Sequence, residues 1–297
     1  MSAAVDALEA AFSAASLPVS PQRLVLEREG SQLLAMPAAG PQGTGTKLVT
    51  VQPSNADRGL PLIHGVYVLF AAETMAPRAF FDGAELTTLR TPAVSALATT
   101  YLARDGASRL VVFGAGVQAR AHVEAMRAVR EITDVTIVAP TDQRADRLVQ
   151  DLGREGLAVR RGSGNEVSRA DIVCTCTTAS EPVLSGEQLP EGVHVNAIGS
   201  YQPHTREVDT ATCLRARVVV EDRDAVLAEA GDLTIPLGEG SFTEDRIAAD
   251  LHEVVRGRQV RTADSDITLF KSVGLASEDL VVAAAALDRL ASGGRGS

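Results

Sequence analysis

The sequence predicts an α/β protein in which a doubly wound parallel sheet is joined to a second α/β domain. Strand-like and helical runs alternate between Arg109 and Gln259, which is typical of a parallel sheet with crossover helices. A glycine-rich turn at residues 114–119 joins the first strand of that region to its helix. Before Arg109 the pattern changes to short strands separated by proline and glycine, which indicates a second sheet of antiparallel or mixed strands.

The N-terminal region begins with an amphipathic helix at Val5–Phe12 and continues as short strands. A helix at Thr91–Ala103 follows them, and Pro92 is suited to its first turn. The predicted strands are Arg23–Glu27, Gln32–Met36, Lys47–Val51, Gly65–Phe70 and Ala79–Phe81.

The central region is expected to hold six strands, helices such as Asp142–Glu155 between them, and one more helix at Asp245–Arg256. A last helix, Ser277–Leu290, begins with Ser-Glu-Asp, a natural cap with acids at the positive end of the helix dipole. We predict one domain over residues 1–104, completed by a C-terminal helix at 275–297, and a second over 105–274. The six strands are Leu110–Phe113, Val135–Val138, Ala158–Arg160, Asp171–Thr175, His194–Ile198 and Arg217–Glu221.

Residues 109–120, RLVVFGAGVQAR, carry the most specific local motif. Gly114 would make a tight turn, Gly116 would let the backbone approach a pyrophosphate, and Ala119 would let helix and strand pack closely. This is the alanine-ended dinucleotide fingerprint of a Rossmann domain, and a plain βα turn is the alternative interpretation. N–H groups at the helix start would hold the phosphates. The predicted cofactor-binding residues here are Gly114, Ala115, Gly116, Val117 and Gln118.

Composition excludes several classes of function. The 297 residues suffice for two packed domains, and a net charge of −10 argues against nucleic acid or an anionic membrane as partner. No apolar run approaches the ~20 residues of a membrane span, and the N-terminus does not resemble a signal peptide. The three cysteines and five histidines lack metal-ligand spacing. We therefore expect a cytoplasmic protein without a metal site.

Further motifs are spread over nearly the whole chain: Gly45–Val49, Leu60-Pro61, Phe81–Gly83, Leu86-Thr87, Arg90-Thr91, Asn196–Gly199, Arg206–Asp209, Gly231-Asp232 and Phe270–Gly274. Together with the fingerprint, they resemble the ornithine cyclodeaminase/μ-crystallin family. Members have a Rossmann domain and a second α/β domain that binds substrate and forms a dimer. They act on imine-forming amino acids with NAD(P). The resemblance implies a homodimer that binds a small imino or amino acid.

Lys47 follows a glycine turn on a predicted strand, where alternation puts it on one face with Val49 and Val51. From the residues alone, a surface lysine whose ammonium reaches water is the simpler interpretation. The resemblance implies instead that Lys47 binds the substrate and transfers a proton near the reacting carbon–nitrogen bond. Burial and nearby guanidinium groups would lower its pKa, as suits a general acid–base catalyst.

Arginine presents a planar donor fork that can bind a carboxylate through two hydrogen bonds. Arg90 lies at the start of the predicted bridging helix, where bracing of the domain junction is the alternative role. The resemblance implies that Arg90 binds the substrate carboxylate, and that Arg23, in Pro-Gln-Arg-Leu, is a second carboxylate-binding arginine. Val273 lies in a segment that the family places beside the nicotinamide, and we predict that it contacts the substrate.

One residue departs from the pattern of ornithine cyclodeaminases. These enzymes carry an aspartate directly after the glycine of the strand-five loop, where it contacts the amino groups of the substrate. Here Gly199 is followed by Ser200, which supplies no negative charge. Burying the second ammonium of ornithine without a counter-ion would cost several kcal/mol. We therefore predict reduction of a cyclic ketimine, Δ1-pyrroline-2-carboxylate or Δ1-piperideine-2-carboxylate, with Ser200 contacting the substrate.

The end of the second Rossmann strand indicates the cofactor. An acidic residue there would bind the ribose hydroxyls of NAD, but this strand continues as Ala-Pro-Thr-Asp-Gln-Arg. Thr141 and Arg144 could accept a 2′-phosphate, so NADPH is favoured and NADH is the alternative. The remaining predicted cofactor-binding residues are Thr91, Thr177, Thr178, Ile198, Gly199 and Ser272.

Three other functions stay open at the level of sequence. An alanine-type amino-acid dehydrogenase would differ only in its need for free ammonia. The ornithine cyclodeaminase interpretation is the second, and Ser200 argues against it. A non-catalytic NADPH-binding protein, like μ-crystallin in the lens, is the third. Retention of both Lys47 and Arg90 argues against it.

Overall fold

The computed structural model describes residues 1–293, so residues 294–297 of the predicted C-terminal helix lie outside the description. The chain forms two compact units. The N-terminal unit comprises Ala3–Ala93 and the C-terminal segment from Leu275, and the central unit comprises Val94–Gly274 with Met1–Ser2. The sequence predicts the first boundary after residue 104, whereas the division lies within a helix, after residue 93.

In chain order the helices and strands are α1 (Ser2–Ser13), β1 (Leu24–Arg28), β2 (Ser31–Gly40), β3 (Gly43–Val51), β4 (Ile63–Phe70), β5 (Pro77–Asp82), α2 (Gly83–Leu102), β6 (Arg109–Phe113), α3 (Val117–Val129), β7 (Asp134–Val138), α4 (Asp142–Arg154), β8 (Val159–Arg161), β9 (Ile172–Thr175), β10 (His194–Ala197), α5 (Thr210–Arg215), β11 (Arg217–Val220), α6 (Arg223–Glu229), α7 (Gly231–Gly238), β12 (Ile247–Asp250), α8 (Leu251–Val255), β13 (Thr268–Lys271) and α9 (Ala276–Gly293).

The N-terminal unit is built on one five-stranded sheet, with β1 to β5 in sequence order and every neighbouring pair antiparallel. Helix α9 packs against β2, β3 and β4 on one face of this sheet. Alternate residues of β3 are buried, because successive side chains of a strand point to opposite faces. The core of the unit includes Leu8, Phe12, Leu34, Leu69 and Leu280.

The central unit is a doubly wound sheet of eight parallel strands in the order β12-β11-β13-β10-β9-β6-β7-β8. The inner strands β6, β9, β10, β11 and β13 are short and almost wholly buried, as expected of a sheet covered on both faces, whereas the edge strand β8 is partly exposed. The chain leaves β6 toward β7 on one side and returns to β9 on the other. Ligands of such sheets bind beyond the carboxyl ends of the strands at this switch point.

Helix α2 begins earlier than the sequence predicts, at Gly83 rather than Thr91. The Asp82 carboxylate accepts hydrogen bonds from the backbone N–H groups of Ala84 and Glu85 and so caps the helix there. Pro92 therefore lies inside the helix, and its predicted first-turn position is wrong.

The helix predicted at Asp245–Arg256 is also wrong in its first half. Ile247–Asp250 forms the edge strand β12, which pairs with β11, and the helix is confined to Leu251–Val255. Asp250 and Glu253 form a reciprocal capping box that starts the helix after the strand.

Candidate active site

Lys47 lies in the middle of β3 on the face of the sheet that α9 covers. Its side chain is 2% exposed, which excludes the surface-lysine interpretation. The ammonium Nζ lies 2.8 Å from Asp279 Oδ2 and 2.9 Å from Asp279 Oδ1, and it donates to Thr87 Oγ1 at 3.2 Å. Lys47 occupies an inward-facing position of β3, so its cation lies in the interior of the N-terminal unit.

Arg90 lies inside α2, not at its start, and is almost fully buried. Its Nε donates to Asp279 Oδ1 at 3.1 Å, and its Nη1 lies 3.3 Å from Glu278 Oε2. Both acids stand in the first turn of α9 and are buried. Two cations from β3 and α2 therefore meet two carboxylates from α9 in one cluster, defined by Lys47, Arg90, Glu278 and Asp279.

The electrostatics of this cluster suit proton transfer. Burial and the Arg90 guanidinium lower the pKa of Lys47 to about 8, while Asp279 acts in the opposite direction. Arg23, which directly precedes β1, lowers the Lys47 pKa further and so lies within electrostatic range of the ammonium. A lysine with a pKa near neutrality can both give and take a proton under physiological conditions.

Tyr67, opposite Lys47 in the β3–β4 register, is a fully buried part of the same environment. Its hydroxyl has no hydrogen-bond partner within residues 1–293. Burial, with the nearby Asp279 carboxylate, raises its pKa, so the phenol stays neutral. Sequence reasoning missed Tyr67, Glu278 and Asp279. The only available signal was the pair of acids opening an otherwise apolar helix.

The glycine turn of the central unit lies between β6 and α3, beside the switch point. Gly114 has a φ of +116°, and a Cβ there would come within 2.5 Å of the Cys176 carbonyl oxygen, so only glycine fits. A Cβ at Gly116 would instead meet no atom of the described chain within 4 Å. Val117 and Gln118 open α3, where the first N–H groups lack intrahelical partners. This turn fits a dinucleotide pyrophosphate.

The other predicted cofactor residues of the central unit follow the carboxyl ends of its strands. Thr177 and Thr178 follow β9, Ile198 and Gly199 follow β10, and Ser272 follows β13. Thr141 and Arg144, after β7, are exposed. Thr91 belongs to the N-terminal unit and is buried in α2.

Buried carboxylates hold these strand ends in place. Glu207 accepts hydrogen bonds from the Thr177 N–H and hydroxyl at 2.7 Å each, and from the Gly199 N–H at 2.6 Å. Glu221 does the same for the segment after β13, accepting from the Ser272 hydroxyl and the Val273 N–H. Neither acid was predicted as a site residue, although Glu207 lies within the Arg206–Asp209 motif.

Ser200 and Val273, predicted to contact the substrate, lie in the central unit, whereas Arg23, Lys47 and Arg90 lie in the N-terminal unit. The Ser200 hydroxyl donates to the Thr205 carbonyl oxygen at 2.6 Å and shares a hydrogen bond with the Thr205 hydroxyl. Its own carbonyl oxygen accepts a hydrogen bond from Lys271 Nζ at 2.7 Å.

Comparison with known proteins gives the family. The model of the ornithine cyclodeaminase/mu-crystallin family matches residues 1–294. The chain belongs to this family. Among its relatives is the Delta(1)-pyrroline-2-carboxylate reductase of Bacillus thuringiensis, 40% identical over 267 residues that cover 88% of this chain and 82% of the relative.

Two solved structures are similar over nearly the whole chain. The Thermococcus litoralis Delta(1)-pyrroline-2-carboxylate reductase, in complex with NADH and L-proline, has a TM-score of 0.94 and 33% identity, over 98% of this chain and 93% of that one. An archaeal alanine dehydrogenase dimer with bound NAD has a TM-score of 0.93 and 32% identity, over 100% of this chain and 93% of that one. The predicted family and α/β fold class are confirmed. Within residues 1–293, no helix is long and apolar enough to cross a membrane.

Proposed function

We propose that this chain reduces the C=N bond of a cyclic 2-imino acid to the cyclic L-amino acid with a nicotinamide cofactor. Δ1-Pyrroline-2-carboxylate is the first substrate candidate, and Δ1-piperideine-2-carboxylate is the second. The observation that carries the proposal is the buried cluster of Lys47, Arg90, Glu278 and Asp279, which places a titratable ammonium beside a guanidinium fork. Relatives named Delta(1)-pyrroline-2-carboxylate reductase support the same reaction.

The residues of the N-terminal unit have distinct roles in this reaction. Arg90 and Arg23 bind the substrate carboxylate, and the Lys47 ammonium donates a proton to the imine nitrogen. When bound, the cofactor supplies a hydride to the imine carbon. The donated proton bonds to the lone pair of the imine nitrogen, the electron pair of the C=N π bond becomes the lone pair of the amine nitrogen, and Lys47 then regains a proton from water. One imino acid, one NAD(P)H and one proton give one amino acid and one NAD(P)+.

In the central unit, the residues of the glycine turn hold the pyrophosphate, and Thr177, Thr178, Ile198, Gly199 and Ser272 line the cofactor. We assign NADPH as the preferred form because exposed Thr141 and Arg144 follow β7 and can meet a 2′-phosphate. The solved relatives carry NADH and NAD, so NADH is the competing form. The three cysteines are free thiols, which suits the predicted cytoplasmic location.

The position after Gly199 argues against ornithine cyclodeamination. Ser200 offers no negative charge, and its hydroxyl is already bonded to Thr205. An ornithine side-chain ammonium would therefore find no counter-ion from this residue.

The proposed function is tested by NADPH oxidation with purified Δ1-pyrroline-2-carboxylate. NADH, pyruvate with ammonia, and ornithine with NAD+ are run in parallel. Rapid oxidation with the cyclic imine alone supports the proposal. Turnover only with pyruvate and ammonia would assign an amino-acid dehydrogenase, and proline release from ornithine would assign a cyclodeaminase. NADPH fluorescence changes without turnover of any substrate would indicate a binding protein.

Replacing Lys47 tests the proton donor. Lys47→Ala should lower kcat by about 10²–10⁴-fold, because the imine nitrogen loses its acid. Lys47→Arg is the matched control for charge, since arginine keeps the cation but does not give up its proton. Both variants should bind NADPH with nearly unchanged affinity in a fluorescence titration. Near-normal turnover by Lys47→Arg would overturn the role of Lys47.

We further propose that a second copy of the chain covers the exposed face of the N-terminal sheet. Cross-strand neighbours Leu24, Ala35, Leu48 and Val66 form one row on this face, and the three larger side chains are exposed. Exposed apolar sheet faces of this kind mark protein interfaces. The alanine dehydrogenase relative is a dimer, which supports the assignment.

A further inference from the structure

The chain contains only two lysines, Lys47 and Lys271, and both are buried. Each faces a fully buried aspartate: Lys47 Nζ lies 2.8 Å from Asp279 Oδ2, and Lys271 Nζ lies 2.7 Å from Asp232 Oδ2. All other positive side chains apart from histidine are arginines. Lysine is thus confined to two sites where an ammonium is enclosed with a carboxylate.

The two pairs differ in what else the ammonium meets. Lys271 donates to the Ser200 carbonyl oxygen, so it joins backbone and aspartate in a structural bond. Lys47 also donates a hydrogen bond to the Thr87 hydroxyl, and its charge is opposed by Arg90, whose Nε donates to the same Asp279 carboxylate. Asp279 therefore lies between two cations that would otherwise repel each other.

The adjacent acid is placed differently. Glu278 is also buried in the first turn of α9, and its Oε2 accepts hydrogen bonds from Arg90 Nη1 and from the Leu275 N–H, both at 3.3 Å. The two consecutive acids of α9 therefore have different contacts: Asp279 contacts both Lys47 and Arg90, and Glu278 contacts the Arg90 guanidinium. Because a buried charge without a partner is strongly disfavoured, losing Asp279 and losing Glu278 should have different chemical consequences.

We propose that Asp279 is the positioning residue that holds the Lys47 ammonium charged and oriented at the substrate site, whereas Glu278 is the carboxylate that pairs with Arg90. This inference rests on the proposed function, because it assigns the counter-ion of the proposed proton donor. Asp279 itself neither binds the imine nor transfers the proton.

A pH dependence follows from the groups around Lys47. These groups are Arg90 on α2, Asp279 on α9, Arg23 before β1, and the neutral Thr87 and Tyr67 hydroxyls. Lys47 must be protonated to act as an acid, so activity should fall as pH rises through its pKa of about 8. Asp279 opposes the lowering of that pKa. Removing its charge should therefore move the alkaline limb of the profile to lower pH.

The first experiment compares Asp279→Asn with the matched control Glu278→Gln in pH profiles of kcat and KM. Asp279→Asn should shift the alkaline limb of kcat by about 1–3 pH units toward acid, the effect typical of one adjacent charge. Glu278→Gln should change KM for the imine through Arg90 and leave the limb in place. An unmoved limb in Asp279→Asn, or an equal shift in both variants, would overturn the inference.

The second experiment does not depend on activity. Labelling lysine with carbon-13 at the ε carbon gives two NMR signals, and Lys47→Arg assigns them by removing one. The Lys47 signal should titrate at lower pH in Asp279→Asn than in the wild type. If Asp279→Asn does not fold, Asp279→Glu takes its place: retained charge should keep the titration near that of the wild type, and a displaced titration would contradict the inference. A wild type without imine turnover but with these shifts would refute the proposed function alone.

Discussion

Single residues of the candidate active site carry charge into the core of the N-terminal unit. Lys47, Arg90, Glu278 and Asp279 are all at least nine-tenths buried and paired with one another. Removing one partner of such a pair typically costs about 3–5 kcal/mol, because the remaining charge is stranded. The cluster therefore fixes its own geometry before any substrate binds.

Gly45 is required by the ring of Tyr67. A Cβ at Gly45 would lie 1.9 Å from the Tyr67 hydroxyl oxygen and 2.5 Å from Cζ, inside any permitted contact distance. Gly45→Ala should therefore lower the free energy of unfolding by about 1–3 kcal/mol, measured by urea denaturation. Gly106→Ala is the control, since a Cβ there meets no described atom within 4 Å. Equal stability losses in the two variants would contradict this steric argument.

The sequence predicts part of this residue-scale arrangement. Alternation along β3 puts Lys47 on the face of Val49, and the structure buries both. The contact of Asp279 with Lys47 cannot be predicted from strand alternation, because the two residues are 232 positions apart in the chain. Acids in a first helical turn are normally explained by the helix dipole, and nothing in their local pattern shows that this turn is buried.

At the scale of elements, buried carboxylates organise the loops that contain the predicted cofactor-binding residues. Glu207 joins the segment after β9 to the segment after β10, and Glu221 anchors the segment after β13. Burial raises the pKa of Glu207, and the Lys271 ammonium opposes that rise. The loops are thus held by side-chain acceptors where the parallel strands no longer pair.

Glu207→Gln should weaken NADPH binding about tenfold or more. The amide would turn a donor toward the N–H groups of Thr177 or Gly199, at a cost of about 1–3 kcal/mol per unsatisfied group. The binding is measured by fluorescence titration, with thermal unfolding as a second readout. Asp209→Asn is the control, because Asp209 caps α5 through Thr212 and contacts none of the predicted cofactor residues. Unchanged affinity in Glu207→Gln would refute the loop-positioning role.

Two elements show why local pattern fails at element boundaries. Residues 245–256 have a helical pattern, yet Ile247–Asp250 gains more by pairing with the edge of β11. Proline usually marks the first turn of a helix. Here Asp82 caps the helix at Gly83, so Pro92 lies inside the helix. In both cases a contact outside the local window sets the boundary.

On the scale of the whole molecule, the alternation of strands and helices predicts the doubly wound parallel sheet, but it gives six of its eight strands and misses β12 and β13. The N-terminal sheet was also predicted, although its order and its covering by α9 depend on contacts between distant segments. What periodicity does not show is which sheet face stays exposed. Phe80 on β5 is 70% exposed and lies on the same face as Leu48 and Val66.

Leu48→Glu should dissociate the proposed dimer. In a two-fold interface the substituted residue occurs twice, so two charges would be buried against apolar surface. Light scattering after size-exclusion chromatography should show a monomer with an unchanged circular dichroism spectrum. Leu214→Glu is the control, because Leu214 on α5 is 37% exposed and Leu48 is 39% exposed. A Leu48→Glu variant that remains dimeric would contradict the proposal that this face is the dimer interface.

The scarcity of lysine also makes the two units separately observable during unfolding. An endoprotease that cleaves only after lysine has one site in β3 of the N-terminal unit and one in β13 of the central unit. Neither bond is cleavable until its strand opens, since both residues are buried. The first fragment to accumulate under mild denaturation therefore identifies the less stable unit, without a label or a substitution.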